Sequence, residues 1–324
     1  MSNLPERPFF IIGHPRSGTT LLRFMLASHP RIFVPEETGF IPFLVKEKDV
    51  DGLLSISQVT AILERIGKLN YLWRDKVTDI SGFYQSLPEP KLAFLLDEIF
   101  RHYTREQVVI RWGDKTPLYV QYVPILSKIF PDAQFIHLIR DGRDAALSAR
   151  KKWPEHSGYM DLYYLLKNWV RNINTGRQVG EWLGIERYYE LFYETLVTTP
   201  EETLKNLCSF LGEDLHTAML NHTILAGEIG PGPNGHTEVL KPVSTASIGV
   251  WKRKMSPFEQ KMSDRVAGRT LTGLGYELTG LESFDTKEQL HYLALATKFS
   301  AADSLRSLLY ATGILTLNRT MRKQ

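Results

Sequence analysis

The sequence predicts an α/β protein: a P-loop-like, mostly parallel sheet flanked by helices. Three observations carry that expectation. The N-terminal stretch RPFFIIGHPRSGTTLLRFML reads as a buried strand, a glycine-containing turn and a helix in direct succession, the unit from which parallel α/β folds are built. Short apolar runs then alternate with segments of helical spacing, as a sheet covered on both faces requires. A chain of 324 residues that is 43% hydrophobic also has enough apolar material for one large core or two small ones.

The first strand, within RPFFIIGHP, is an unbroken apolar run ended by glycine and proline. The helix after it, SGTTLLRFMLASHP, places Leu22, Phe24, Met25 and Leu26 near one face and stops at His-Pro. Residues 41–105 read as a helical insertion carrying Trp73, Tyr84 and Phe94, of a kind expected to cap a ligand-facing surface. Further strands are expected at QVVIRW (107–112), AQFIHLI (133–139) and ERYYELFY (186–193), with helices at 143–152, 161–180 and 200–211. GEIGPGPNGHTE (227–238) is expected to be an irregular loop. The expected organisation is one domain over 1–280 and a helical tail over 281–324. The tail is amphipathic, its apolar run broken by Lys298, Asp303 and Arg306. It packs either in cis or between the subunits of a homodimer.

Composition narrows the function. A net charge of +3 with 23% charged residues gives no footprint for nucleic acid or an anionic membrane. MSNLPERP lacks an apolar signal-peptide core, and no stretch reaches the ~18 apolar residues of a membrane span. A cytoplasmic location is therefore expected. The single cysteine, Cys208, excludes an internal disulfide and sits among leucines in ETLKNLCSFLG, as a core residue would. No His/Cys cluster has metal-ligand spacing, so no metal is expected.

Gly13 and Gly18 have the Gly-x-x-x-x-Gly spacing of a phosphate-binding loop, but Thr19-Thr20 stand where a nucleoside-triphosphatase has Lys then Ser or Thr. A strand–loop–helix turn still offers backbone N–H groups and the positive helix end to an anion. Arg16 adds a cationic fork, and Ser17, Thr19 and Thr20 add hydroxyls. Without the lysine, and without a strand ending cleanly in a magnesium-binding Asp, the ligand is expected to lack a triphosphate grip. Glu36 and Glu37 in FVPEETGF supply carboxylates, one of which could accept a proton. Lys115 follows a strand in RWGDKTP, where parallel sheets deliver ligand-binding residues. Its neighbour Asp114 either orients it or caps the turn.

These segments resemble the PAPS-dependent sulfotransferases, PAPS being 3′-phosphoadenylyl sulfate, and within them the protein-tyrosine sulfotransferase-like branch. GHPRSGTTLLRFML is similar to the family's 5′-phosphosulfate loop and FIHLIRDGRDAALSARKKW to its 3′-phosphate segment. FYETLVTTPEETLKNLCSFLG, and LKPVSTASIGVWKRKMSP with LTGLGYEL, are similar to its later blocks. The resemblance implies sulfuryl transfer from PAPS to an acceptor hydroxyl on a small molecule, a glycan or a tyrosine-like phenol. Adenosine 3′,5′-bisphosphate would be released. It implies donor contacts from Arg16, Ser17, Gly18, Thr19 and Thr20, and a 3′-phosphate site at Arg140 and Ser148. It further implies a base at Glu37, Lys115 on the sulfate and leaving oxygen, and Tyr193 near the nucleotide. The insertion at 41–105 would then lie on the acceptor side. Gly249 stands where the relatives have a serine, with Ser247 two positions earlier as a substitute. Lys252, Arg253 and Lys254 either clamp the 3′-phosphate or form a solvated face. Glu36 reads as structural, Arg143 as a partner for Asp141 or Asp144, His137 as core, and His14 as a weak second candidate base. Two other functions fit the loop: a small-molecule kinase using ATP, and a nucleotide-binding relative without turnover.

Overall fold

The computed structural model describes residues 6–46, 49–74, 76–103, 111–153, 161–230 and 237–311. In chain order the strands and α-helices are β1 (Phe9–Gly13), α1 (Thr19–Ala27), β2 (Ile32–Phe33), α2 (Ile56–Leu69), α3 (Ile80–Ser86), α4 (Leu92–Tyr103), β3 (Arg111–Lys115), α5 (Val123–Ile129), β4 (Gln134–Ile139), α6 (Gly142–Lys152), α7 (Leu162–Leu183), β5 (Tyr188–Phe192), α8 (Tyr193–Thr198), α9 (Pro200–Leu211), α10 (Thr223–Ile229), α11 (Trp251–Lys254), α12 (Pro257–Gly273) and α13 (Thr286–Ala311). They form two compact units. The first comprises residues 1–13, 18–139 and 175–245, and the second residues 14–17, 140–174 and 246–324.

The first unit holds the sheet, ordered β2-β3-β1-β4-β5 with every pair parallel. Every residue of β1, β3 and β4 is buried, as expected for a parallel sheet covered on both faces. The alternation of β1 divides its side chains between two cores. Phe9 and Ile11 join Leu22 and Met25 of α1 and Leu207 of α9, whereas Phe10 and Ile12 join Trp112, Phe130 and Phe135. Cys208 is buried in the first of these cores, and burial pushes its thiol up to about 11.

The mostly parallel α/β class is as the sequence predicts, and β4, β5, α6, α7 and α9 lie where expected. The differences have physical causes. β3 runs through Arg111–Lys115 and so includes polar residues that an apolar-run reading places after the strand. Gly113 makes this possible, because the ring of Phe9 lies where its Cβ would be. Residues 107–110 of the expected strand lie outside the described residues. β2 has two residues, too few for a periodicity. The expected loop at 227–238 begins within α10. Trp73 and Phe94 of the expected insertion are core residues; Trp73 packs on Phe40 and Phe100 at ring distances of 5.5 and 5.1 Å.

In the second unit, Asp141 caps α6 by accepting from the backbone N of Arg143. The indole of Trp169 lies against Gly142 and donates to the Arg140 carbonyl at 3.0 Å. These contacts hold the peptide preceding α6. Asp144 accepts from the backbone N of Gly249 at 2.7 Å and of Trp251 at 2.8 Å, which ties the segment leading into α11 to α6. α12 opens with a capping box between Ser256 and Glu259. α13 packs through Phe299 onto Tyr163 and Tyr164 at 5.7 and 5.5 Å.

Candidate active site

The loop from Gly13 to Gly18 is shaped by its backbone. Gly13 has φ 150°, and a Cβ there would come 2.5 Å from the Leu138 carbonyl oxygen. Arg16 and Gly18 have φ 70° and 96°. A left-handed arginine is strained by about 1–3 kcal/mol and persists where the surroundings over-determine it. Backbone that switches hand in this way is the kind from which anion-binding nests are built. Ser17 is 0% exposed, and its hydroxyl has no hydrogen-bond partner among the described residues. An orphaned buried hydroxyl in such a loop fits an anionic oxygen as its missing partner.

In the first unit, Lys115 at the end of β3 is buried, and its ammonium lies 2.5 Å from Glu37 Oε1 and 3.4 Å from Thr20 Oγ1. The adjacent order of β1 and β3 in the sheet sets Lys115 beside the start of α1, which carries Thr19 and Thr20. Glu37 is about one-third exposed and so accessible to a ligand, unlike its partner. Its backbone is held firmly: Asn70 Nδ2 donates to the carbonyls of Glu37 at 2.8 Å and Thr38 at 3.1 Å. The Thr38 hydroxyl donates to Asp114 and lies 2.8 Å from the Tyr119 hydroxyl. Asp114 also accepts from Thr116 at 2.8 Å, and burial pushes its carboxyl up to about 7. Two threonine hydroxyls, those of Thr38 and Thr116, thus donate to it. Tyr193, the first residue of α8, lies against Gly18, where an added Cβ would come within 2.5 Å of the ring.

In the second unit, Arg16 Nε donates to Ser148 Oγ at 3.2 Å. The Arg140 guanidinium donates to the carbonyls of Arg16 at 3.0 Å and Ser247 at 2.7 Å. Trp153 stacks 5.8 Å from the Arg16 guanidinium. Arg16, Arg140, Ser148 and the Ser247 backbone therefore form one group, although the sequence separates them by up to 231 residues, from 16 to 247. Guanidinium groups bind anionic oxygens through paired hydrogen bonds, so Arg16 and Arg140 bring two cationic forks to this group.

Residues 8–217 match the sulfotransferase family. Protein-tyrosine sulfotransferase 1 of Danio rerio is 31% identical over 276 residues, covering 83% of this chain and 72% of the relative. The Homo sapiens protein of the same name is 30% identical over 275 residues, covering 83% and 69%. The chain belongs to the sulfotransferase family. It is a PAPS-dependent enzyme of the tyrosine-sulfotransferase-like branch. Among solved structures, the sulfotransferase domain of the Synechococcus PCC 7002 olefin synthase superposes with a TM-score of 0.57 at 26% identity, covering 86% of this chain and 98% of that domain. The sulfotransferase domain from the curacin biosynthetic pathway shares the fold with a TM-score of 0.56 at 22% identity, covering 86% and 100%.

Within this sulfotransferase, the remaining candidates sort by their contacts. Glu36 forms an ion pair with the buried Arg23 at 3.0 Å, a structural contact. Arg143 is paired through two nitrogens with Asp141, at 2.9 and 2.7 Å, and stacks 3.6 Å from the Trp251 ring. Asp144 instead serves the backbone of Gly249 and Trp251. Gly249 has φ 65°, a left-handed conformation that disfavours a serine there. Lys252 is half-exposed and pairs with Glu277. His14 is buried, Asn172 donates to its Nδ1 across 3.0 Å, and burial lowers its pKa to about 3, which suits a fixed neutral ring more than a base. His137 is a core residue with one nitrogen 2.6 Å from the Tyr188 hydroxyl, while Nε2 has no partner among the described residues. Sequence reasoning missed Asn70 and Thr38. The only signal for Asn70 was an Asn at the end of a helical pattern, and nothing local tied it to Glu37.

Proposed function

We propose that this sulfotransferase moves the sulfuryl group of PAPS to an acceptor hydroxyl in a single in-line displacement, with Glu37 as the base. The Glu37–Lys115 pair carries the reading, because it sets a partly exposed carboxylate beside a buried ammonium that also reaches Thr20 at the start of α1. The acceptor oxygen forms a bond to sulfur as the bond from sulfur to the bridging oxygen breaks. The acceptor proton goes to Glu37, and adenosine 3′,5′-bisphosphate departs. PAPS supplies the electrophilic sulfur; the chain's own groups hold it and offset charge. Lys115 neutralises charge growing on the leaving oxygen, which also frees Glu37 from the ion pair of the substrate-free protein. The loop N–H groups, Ser17, Thr19 and Thr20 hold the 5′-phosphosulfate. Arg140, with Ser148, binds the near-dianionic 3′-phosphate, and Arg16 adds a guanidinium to the donor site. Tyr193 confines the nucleotide beside Gly18.

A tyrosyl phenol is the acceptor to test first, because the curated relatives are protein-tyrosine sulfotransferases. The experiment incubates the enzyme and its Glu37→Gln variant with sulfur-labelled PAPS and tyrosine peptides, simple phenols, sugars or aliphatic alcohols. The variant should bind adenosine 3′,5′-bisphosphate normally and lose on the order of 10²–10⁴ in kcat. Full turnover in Glu37→Gln would overturn the base assignment. Transfer confined to sugars or alkyl alcohols would overturn the phenol.

A further inference from the structure

Glu37 is held in two ways, and the proposed reaction uses up one of them. The first is the ion pair of its carboxylate with Lys115 at 2.5 Å. Transfer takes that ammonium to the leaving oxygen, so the pair cannot place the carboxylate while the acceptor loses its proton. The second hold acts on the backbone. Asn70, at the end of α2, directs one amide nitrogen to the carbonyls of Glu37 at 2.8 Å and Thr38 at 3.1 Å. The peptide joining those residues cannot turn without breaking one of the two bonds.

Asn70 has little freedom of its own. Its Oδ1 accepts from the Leu72 N–H at 3.1 Å, which an amide nitrogen could not do, so Nδ2 is the atom that faces the two carbonyls. Its backbone N–H donates to the Ile66 carbonyl at 2.8 Å, and its own carbonyl accepts from the Trp73 N–H at 3.1 Å. The Trp73 ring lies 5.5 Å from that of Phe40, so the turn at 70–73 braces residues 37–40 at both ends. From another side, the Thr38 hydroxyl donates to Asp114, the neighbour of Lys115 in β3. An amide suits this place because it carries two donors on one atom and an acceptor on the other. Aspartate would turn an anionic oxygen on the two carbonyls, and serine offers a single hydroxyl.

We propose that Asn70 is a positioning residue for sulfuryl transfer: it fixes the backbone from which Glu37 reaches the acceptor proton once Lys115 is engaged by the donor. The inference rests on Glu37 as the base. Misplacing a reacting group by about 1 Å costs on the order of 10²-fold in rate. Among the described residues, Asn70 hydrogen-bonds none of those that hold the donor. The test follows single-turnover transfer from bound, sulfur-labelled PAPS to whichever acceptor of the peptide, phenol, sugar and alcohol panel reacts fastest. It compares Asn70→Ser and Asn70→Asp with wild type, and Asn70→Ser/Glu37→Gln with Glu37→Gln. Both replacements keep an oxygen for the Leu72 N–H, so the turn and the circular dichroism should be retained. Each should slow transfer roughly 10- to 100-fold, while affinity for adenosine 3′,5′-bisphosphate changes little. In the Glu37→Gln background, Asn70→Ser should slow transfer by less than about threefold, because groups that act as a unit are not additive. A merely structural role would multiply the losses in both backgrounds. Unchanged transfer in Asn70→Ser and Asn70→Asp, an equal loss in both backgrounds, or weakened bisphosphate binding that accounts for the loss would each overturn the proposal. Full turnover in Glu37→Gln would overturn the base itself, which is a separate failure.

Discussion

Asp114→Asn should remove a loss of stability that this enzyme suffers as pH rises toward and through neutrality. The carboxyl of Asp114 is fully buried, and its pKa is about 7 against an ordinary 3.8. Burial is the largest cause, only partly offset by hydrogen bonds from Thr38 and Thr116. A carboxyl raised on folding binds its proton more tightly in the native state, so its stabilising contribution is complete below 3.8 and is lost as pH rises through 7. Between pH 5 and pH 8 the loss comes to about 3 kcal/mol, at 1.36 kcal/mol per pH unit up to the native pKa. Asparagine keeps an amide oxygen for one threonine hydroxyl and has no proton to lose. Urea unfolding of wild type and variant at pH 5, 6, 7 and 8 isolates the effect, because titrations common to both cancel. The stability of wild type relative to the variant should fall by about 3 kcal/mol across that range. A difference flat to within about 1 kcal/mol would refute the reasoning and show that Asp114 is ionised throughout.

Two further outcomes test the donor side. Arg140→Ala removes a charged donor of the proposed 3′-phosphate site and should weaken adenosine 3′,5′-bisphosphate binding about 10- to 200-fold, or 1.5–3 kcal/mol, by calorimetry; affinity for adenosine 5′-monophosphate should change little. Gly18→Ala would set a methyl 2.5 Å from the Tyr193 ring at φ 96°, whereas Gly212→Ala, at φ 77°, meets nothing within 4 Å. The control should lose only the backbone cost of about 1–2 kcal/mol. Gly18→Ala should lose more and bind the bisphosphate measurably more weakly by the same calorimetry.

The sequence by itself determined whatever depends on neighbours along the chain. The glycine loop and α1, the helical spacing of α9 and the apolar runs of β1 and β4 follow from local hydrogen bonding and periodicity, and all are legible. So was the family, because its motifs are short contiguous strings such as PRSGTT and RDGRDAALSARKKW. Only the tertiary structure decided which charge meets which. Arg140 and Arg143 look equivalent in RDGRD, yet one holds two backbone carbonyls and the other is consumed by Asp141. Glu36 and Glu37 are adjacent, yet one neutralises Arg23 and the other meets Lys115, 78 residues away. Lys252 meets Glu277, 25 residues further on. Trp73 is one aromatic among several in a helical stretch by sequence, and the fold buries it in the core. The reason is common to all of these. Pairing of buried charges and burial of aromatic rings depend on contacts between segments far apart in sequence, and no local pattern encodes which of several similar side chains the packed sheet will bring together.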